Sequence, residues 1–228
     1  MRQHKWVRAV SLSAIALAIA FVVAVPASGA EHGWEMRIEV ARVIPNLNYQ
    51  AFTGDGVPVA VRDESDTGFG LSVGYRYTDY VGVELGFLQS KPGVTLMTDF
   101  GLGGQPSWFS DDLSMRSCIA ALAFHLTPNR AVDLYVSPMI ASTSFGDLLY
   151  EIEVPGVGSE MLDIKVRDNL SWGIGLGIEV PLGSSPWRAT SSIRYLDGVL
   201  SIDGDQGDFT DEIDFDSTVI SAGIGYHF

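Results

Sequence analysis

Along Phe69-Gly70-Leu71-Ser72-Val73-Gly74-Tyr75-Arg76-Tyr77, every second residue is apolar or aromatic, and those between are Gly, Ser or Arg. This is a period of two, the mark of a strand with one face in an apolar medium. Val81-Gly82-Val83-Glu84-Leu85-Gly86-Phe87 repeats it, and the run from Leu170 to Val180 carries it further. At the C-terminus Thr218, Ile220, Ala222, Ile224, Tyr226 and Phe228 make one face, and Ser217, Val219, Ser221, Gly223, Gly225 and His227 the other. Read in the same way, the chain predicts eight strands near 34–43, 67–77, 81–90, 114–126, 132–143, 169–181, 188–198 and 214–228. The connections alternate in length: 78–80, 127–131 and 182–187 are short, whereas 44–66, 91–113, 144–168 and 199–213 are long.

Beyond residue 30 no run approaches the roughly 18 apolar residues a membrane helix needs. The chain is therefore a soluble exported protein, or it crosses a membrane as a closed sheet that leaves no backbone group unpaired in lipid. A soluble sandwich also alternates, but it turns its charged face to water. Here the non-apolar face is mostly Gly and Ser with a few charges, which suits the inside of a narrow barrel, and the broad apolar face suits lipid. The expected fold is all-β, an eight-stranded antiparallel transmembrane β-barrel with short periplasmic turns and long external loops. Both chain ends then fall in the periplasm. Trp34, Tyr75, Tyr77, Tyr80, Phe124, Trp187, Tyr226 and Phe228 gather toward the periplasmic strand ends, as an aromatic girdle requires.

Residues 1–30 read as a cleaved secretory signal and 31–228 as the barrel. Arg2, Lys5 and Arg8 precede an apolar stretch from Ala14 to Val25, and Ser28 and Ala30 suit cleavage before Glu31. A chain starting at Glu31 has 11 basic against 28 acidic residues, a formal charge of −17. Such a charge argues against nucleic acid as a partner, since phosphates call for clustered Lys and Arg. Cys118 is the single cysteine, so an intramolecular disulfide and a Cys-based zinc cage are excluded.

Trp34-Glu35-Met36-Arg37 opening the first strand, Gly82-Val83-Glu84-Leu85 in the third, Asp168-Asn169-Leu170-Ser171-Trp172-Gly173 entering the sixth, and the ending Ser221-Ala222-Gly223-Ile224-Gly225-Tyr226-His227-Phe228 resemble the outer-membrane protein W (OmpW) family of small barrels. The resemblance spans nearly all of 31–228. It implies a narrow channel with a hydrophobic interior for passive passage of small hydrophobic molecules across the outer membrane of a double-membraned bacterium, with lateral release through the wall. It also implies that Tyr226 and Phe228 act as an assembly signal. The chain departs from the family in the fourth strand, where Leu113-Ser114-Met115-Arg116-Ser117 stands in place of the usual prolines.

Eight strands enclose a space that side chains can fill or that holds one small ligand, which excludes a general porin. With the large apolar residues turned to lipid, Arg37, Glu39, Arg76, Glu84, Glu179, Arg188 and Arg194 point inward as a charge constriction. Confined charges must pair, and Arg76 with Glu84 across the second hairpin is the expected example. Toward the outer end Leu88, Met115, Met139, Leu196 and Val219 are the channel-lining candidates, with Leu47, Tyr49, Phe52, Trp108 and Phe109 as a roof. Many inward glycines either open a passage or relieve the curvature of a small barrel. Pro138 interrupts an otherwise good strand, so a bulge or a gap is expected there, as a possible lateral opening.

The acidic stretch Asp203-Gly204-Asp205-Gln206-Gly207-Asp208 misses the EF-hand spacing and reads as a solvated external loop. No metal site and no cofactor are expected. No catalysis is expected either: His32, His125 and His227 all fall near the periplasmic side, and neither His125 nor His227 is followed two residues later by a serine. The expected partners are outer-membrane lipid and lipopolysaccharide, the barrel-assembly machinery and small hydrophobic molecules. The competing function is a non-conducting structural or adhesive barrel that acts through its acidic external loops.

Overall fold

The computed structural model describes residues 33–46, 49–52, 58–98, 107–128, 130–146, 148–154, 158–203 and 210–228. Its elements are all strands: β1 (Trp34–Asn46), β2 (Tyr49–Phe52), β3 (Pro58–Glu64), β4 (Asp66–Arg76), β5 (Val81–Ser90), β6 (Gly93–Thr98), β7 (Ser107–Asp112) and β8 (Met115–His125) make the first half. The second half holds β9 (Asp133–Phe145), β10 (Leu148–Val154), β11 (Gly158–Val166), β12 (Asn169–Pro181), β13 (Trp187–Asp197), β14 (Val199–Asp203), β15 (Thr210–Asp214) and β16 (Asp216–His227). No helix among the described residues is long and apolar enough to cross a membrane; the crossing is made by strands.

Eight strands close into one antiparallel barrel in the order β1-β16-β13-β12-β9-β8-β5-β4. Closure joins the two chain ends, with β1 registered on β16 from Glu35↔His227 to Asn46↔Asp216 and the Phe228 amide donating to the Trp34 carbonyl at 2.9 Å. A closed wall leaves no edge, so no row of backbone groups is left to lipid.

The periodicity seen in the sequence is the wall's geometry. In β1 Glu35, Arg37, Glu39, Ala41 and Val43 are buried in the lumen while Met36, Ile38, Val40 and Ile44 are exposed on the outside. β12 alternates in the same way, with Ser171, Gly173, Gly175, Gly177 and Glu179 inward and Trp172, Ile174, Leu176 and Ile178 outward. An outer belt of this kind is stable only against lipid tails. At the periplasmic rim the aromatics meet edge to face: Trp34 with Tyr75, Tyr75 with Tyr77, Trp187 with Tyr226, and Tyr226 with Phe228, all at centroid distances of 4.9–5.1 Å.

Side chains close the short turns. Thr78 Oγ1 accepts from the amides of Tyr80 and Val81, and Thr127 Oγ1 accepts from the Leu134 amide while donating to the Val132 carbonyl. In the third turn Ser185 Oγ donates to the Leu182 carbonyl and Gly183 takes φ +70°, a conformation that costs glycine nothing.

The long connections correct the expectation of loops. They carry strands of their own: β2, β3, β6 and β7 pair as one four-stranded sheet, and β10, β11, β14 and β15 as another. Each sheet joins two neighbouring external connections, the first through β3–β6 and the second through the pairs Lys165↔Asp203 and Val166↔Ile202. Paired ribbons satisfy the backbone in a connection too long for a turn, and short irregular alternation hid them in the sequence. The segment 1–30, Leu47 and the acidic stretch 204–208 lie outside the described residues, as do the side chains of Tyr49, Phe52, Trp108 and Phe109.

Candidate functional site: the layered lumen

The lumen is built in two layers by strand position. In the external half the larger inward residues are apolar, with small polar groups such as Ser117 and Thr143 bonded to each other at 2.8 Å between them. Leu88, Met115, Met139, Leu196 and Val219 all lie there, 0–5% exposed, packed into one cluster with residues such as Val43 and Ile119. The five sequence-derived lining candidates thus touch a common core, with the two flexible methionines among them.

The periplasmic half is ionic. Arg37 on β1 is its hub: its guanidinium bonds Glu35 on the same strand, Glu84 of β5 at 2.6 Å and Glu179 of β12 at 2.6 Å. It also stands 5.3 Å from the centre of the Tyr135 ring, within cation–π range. Arg76 at the end of β4 bonds Asp133 at 3.1 Å and Glu179 at 3.3 Å. Arg194 of β13 bonds Glu39 at 3.0 Å and reaches Glu84 at 3.6 Å. The expected Arg76–Glu84 pair is therefore not the one formed. The two sit on neighbouring strands, but Glu84 turns across the lumen to Arg37 and Arg194, which are better placed to neutralise a group buried on all sides.

Arg188 shares the inward parity of Thr190, Ser192 and Arg194, yet lies at the rim, half-buried, and makes no ion pair with the described residues. Sequence reasoning left Glu35, His125, Asp133, Tyr135 and His227 out of the network. Each holds an inward position by the same two-residue period: Glu35 is two before Arg37, and His227 is two after Gly225. The signal was present, since the alternation of the last strand already sets His227 on the inward face, but it does not say which groups of distant strands meet there. His125 Nδ1 stands 2.8 Å from Asp133 and 3.1 Å from Arg76, so this nitrogen either donates to the carboxylate or accepts from the guanidinium.

Between the two layers the hydrogen-bonded ladder of the wall lapses over two residue pairs. β8 and β9 pair from Met115↔Phe145 to Ala121↔Met139 and resume at Phe124↔Val136 in the same register, leaving Leu122 and Ala123 unpaired opposite Ser137 and Pro138. The other seven wall pairings run unbroken over their described lengths. No residue is inserted, so the feature at Pro138 is a gap in the ladder and not the bulge that was the other expectation; proline supplies no donor, and a missing donor removes a rung without shifting the register. On the inner side of the lapse the residues are small, Ala121, Ala123 and Ser137, below Met139 and above Tyr135 and His125.

Among solved structures the chain is similar to the outer membrane protein OprG of Pseudomonas aeruginosa, at 19% identity over 86% of this chain and 96% of that one, with a TM-score of 0.59. It is similar to the outer membrane protein AlkL in lipid bilayers, at 18% identity over 90% and 95%, TM-score 0.61. Neisserial surface protein A shares 13% identity over 87% and 100%, TM-score 0.53. At such identities the likeness speaks for the fold, an outer-membrane barrel in each case. No curated protein sequence matches the chain. The sequence matches the outer membrane protein beta-barrel domain family over residues 13–228, nearly the whole length, and the chain accordingly belongs to that family of barrels of the bacterial outer membrane.

Proposed function

We propose that the protein passes small hydrophobic molecules passively from the cell exterior toward the outer-membrane interior, and that it is not an enzyme. A solute enters among Leu88, Met115, Met139, Leu196 and Val219, where displacement of the methionines makes room, and it meets the ionic floor below. Three guanidinium groups cross-linked to five carboxylates bar an apolar solute from continuing along the axis. The way left is sideways. The observation that carries the reading is the position of the wall's gap, at Leu122–Ala123 and Ser137–Pro138, between the apolar layer and the floor. The charged groups of the floor are engaged with one another, which suits a closure and not a nucleophile–base pair.

Replacing Pro138 with Val restores the missing donor. In vesicles loaded with a reporter for a small aromatic solute, Pro138→Val is expected to slow uptake severalfold while raising the temperature at which the folded gel band is lost. Unchanged uptake with a more heat-resistant barrel would mean that the gap serves the wall alone, and the lateral route would be dropped. A second reading has its own observation: two four-stranded sheets stand in the external connections, a large outward investment for a channel. On that reading the barrel is a scaffold for surface contacts, and deleting 94–111 would abolish cell attachment and leave uptake untouched.

A further inference from the structure

At the periplasmic mouth Glu35, Glu179 and His227 converge from three different strands, with one possible ligand atom from each lying within 4.8 Å of the others. We propose that this triad is a binding site for a divalent transition-metal ion of the zinc type, one that pins the first and last strands of the barrel together.

The spacing fits. His227 Nε2 stands 3.2 Å from Glu35 Oε2 and 3.6 Å from Glu179 Oε2. Zinc bonds to nitrogen and oxygen of about 2.0–2.2 Å put neighbouring ligands of a tetrahedron roughly 3.3–3.6 Å apart. Two of the three ligand edges are thus already near their metal-bound lengths, and His227 is partly exposed, which leaves the site open to an ion from solvent.

A second and independent observation is the state of Glu35. Its side chain is more than nine-tenths buried, yet no hydrogen bond of good geometry reaches its Oε2 among the described residues, and its nearest partner is His227 Nε2 at 3.2 Å. A buried carboxylate oxygen so poorly supplied is costly, and a cation held between it and the imidazole nitrogen repairs the deficit. The other oxygens are occupied: Arg37 takes Oε1 of both Glu35 and Glu179. One guanidinium therefore turns both Oε2 atoms toward His227, as an outer-shell group orients metal ligands.

Charge points the same way. Within the paired network Arg37, Arg76 and Arg194 face Glu35, Glu39, Glu84, Asp133 and Glu179, three positive groups against five negative. The arginines alone leave two carboxylates unbalanced, a surplus that a protonated His227 only partly offsets and that one divalent cation in its place would balance. Arg76 Nη2, 3.3 Å from Glu179 Oε2, is the group a metal displaces, and it keeps Asp133 at 3.1 Å when it gives way. Glu35 and His227 are register partners across the β1–β16 seam, so the ion would bridge the junction that closes the barrel.

The test uses the full barrel folded in detergent and stripped with chelator. Zinc chloride titrated against a chromophoric competitor is expected to bind at one ion per barrel, with a zinc-edge absorption spectrum of nitrogen and oxygen ligands including one imidazole. His227→Gln and Glu35→Gln are each expected to weaken binding at least tenfold, and Arg188→Gln to leave the stoichiometry unchanged. If His227→Gln fails to fold, Glu35→Gln alone carries the test, since it preserves shape and hydrogen-bonding reach. Absence of bound zinc, or one-to-one binding indifferent to both variants as from the acidic external stretch, would overturn the proposal.

Discussion

Tyr135 on β9 lies across Gly177, its register partner on β12, so closely that a Cβ built on Gly177 would overlap the phenol ring. The glycine is thus a seat for the ring that stands beside Arg37, and its missing side chain is filled space. Gly86 differs: a Cβ there would stand 3.6 Å from the Ser72 Cβ and 3.8 Å from the Ile119 Cβ, in ordinary contact.

Gly177→Ala is therefore expected to destabilise the folded barrel by about 1–3 kcal/mol through overpacking. Gly86→Ala is expected to be neutral or to stabilise by up to about 1 kcal/mol through the less flexible unfolded chain. Urea titrations of the two variants in detergent, followed by tryptophan fluorescence, measure the contrast, and equal effects would remove the distinction between seat and spacer.

Arg37 neutralises three carboxylates at once while itself 1% exposed. Removing one partner of a buried pair costs about 3–5 kcal/mol, so Arg37→Met should lower stability by at least that much or prevent folding. Arg188→Gln, at the rim without an ion pair among the described residues, should stay within about 0.5 kcal/mol of the parent. Melting of the folded gel band on heating is the readout.

Phe228 meets Tyr226 edge to face at 4.9 Å, and its amide donates to the Trp34 carbonyl at 2.9 Å, so the last residue fastens the seam. Its side chain is otherwise largely exposed on the outside. Deleting Phe228 is expected to reduce the amount of barrel in outer-membrane fractions, because the girdle contact, the seam bond to Trp34 and the terminal aromatic expected to serve as an assembly signal are lost together. Full insertion of the truncated chain would leave that role without support.

Material purified from outer membranes is expected to begin at Glu31, after the small residues Ser28 and Ala30. N-terminal sequencing decides it, and a start more than two or three residues away would mean that cleavage follows another site.

Along each wall strand the period of two determined by itself which residues face lipid and which face the lumen, because a strand's side chains alternate whatever its neighbours are. Ile38 and Val40 are outside and Arg37 and Glu39 inside for that reason alone. The short turns at Thr78 and Thr127 and the orientation of the barrel follow from the same local information. The partners across the lumen do not. Arg76 reaches Asp133 and Glu179, and Glu84 reaches Arg37 and Arg194, because closing the sheet brings inward groups from distant strands together, and only the tilt and stagger of the closed wall fix which ones meet. The ribbons in the external connections and the meeting of Glu35, Glu179 and His227 were decided there too. Each depends on contacts between segments far apart in the chain, and a one-dimensional pattern carries no record of those.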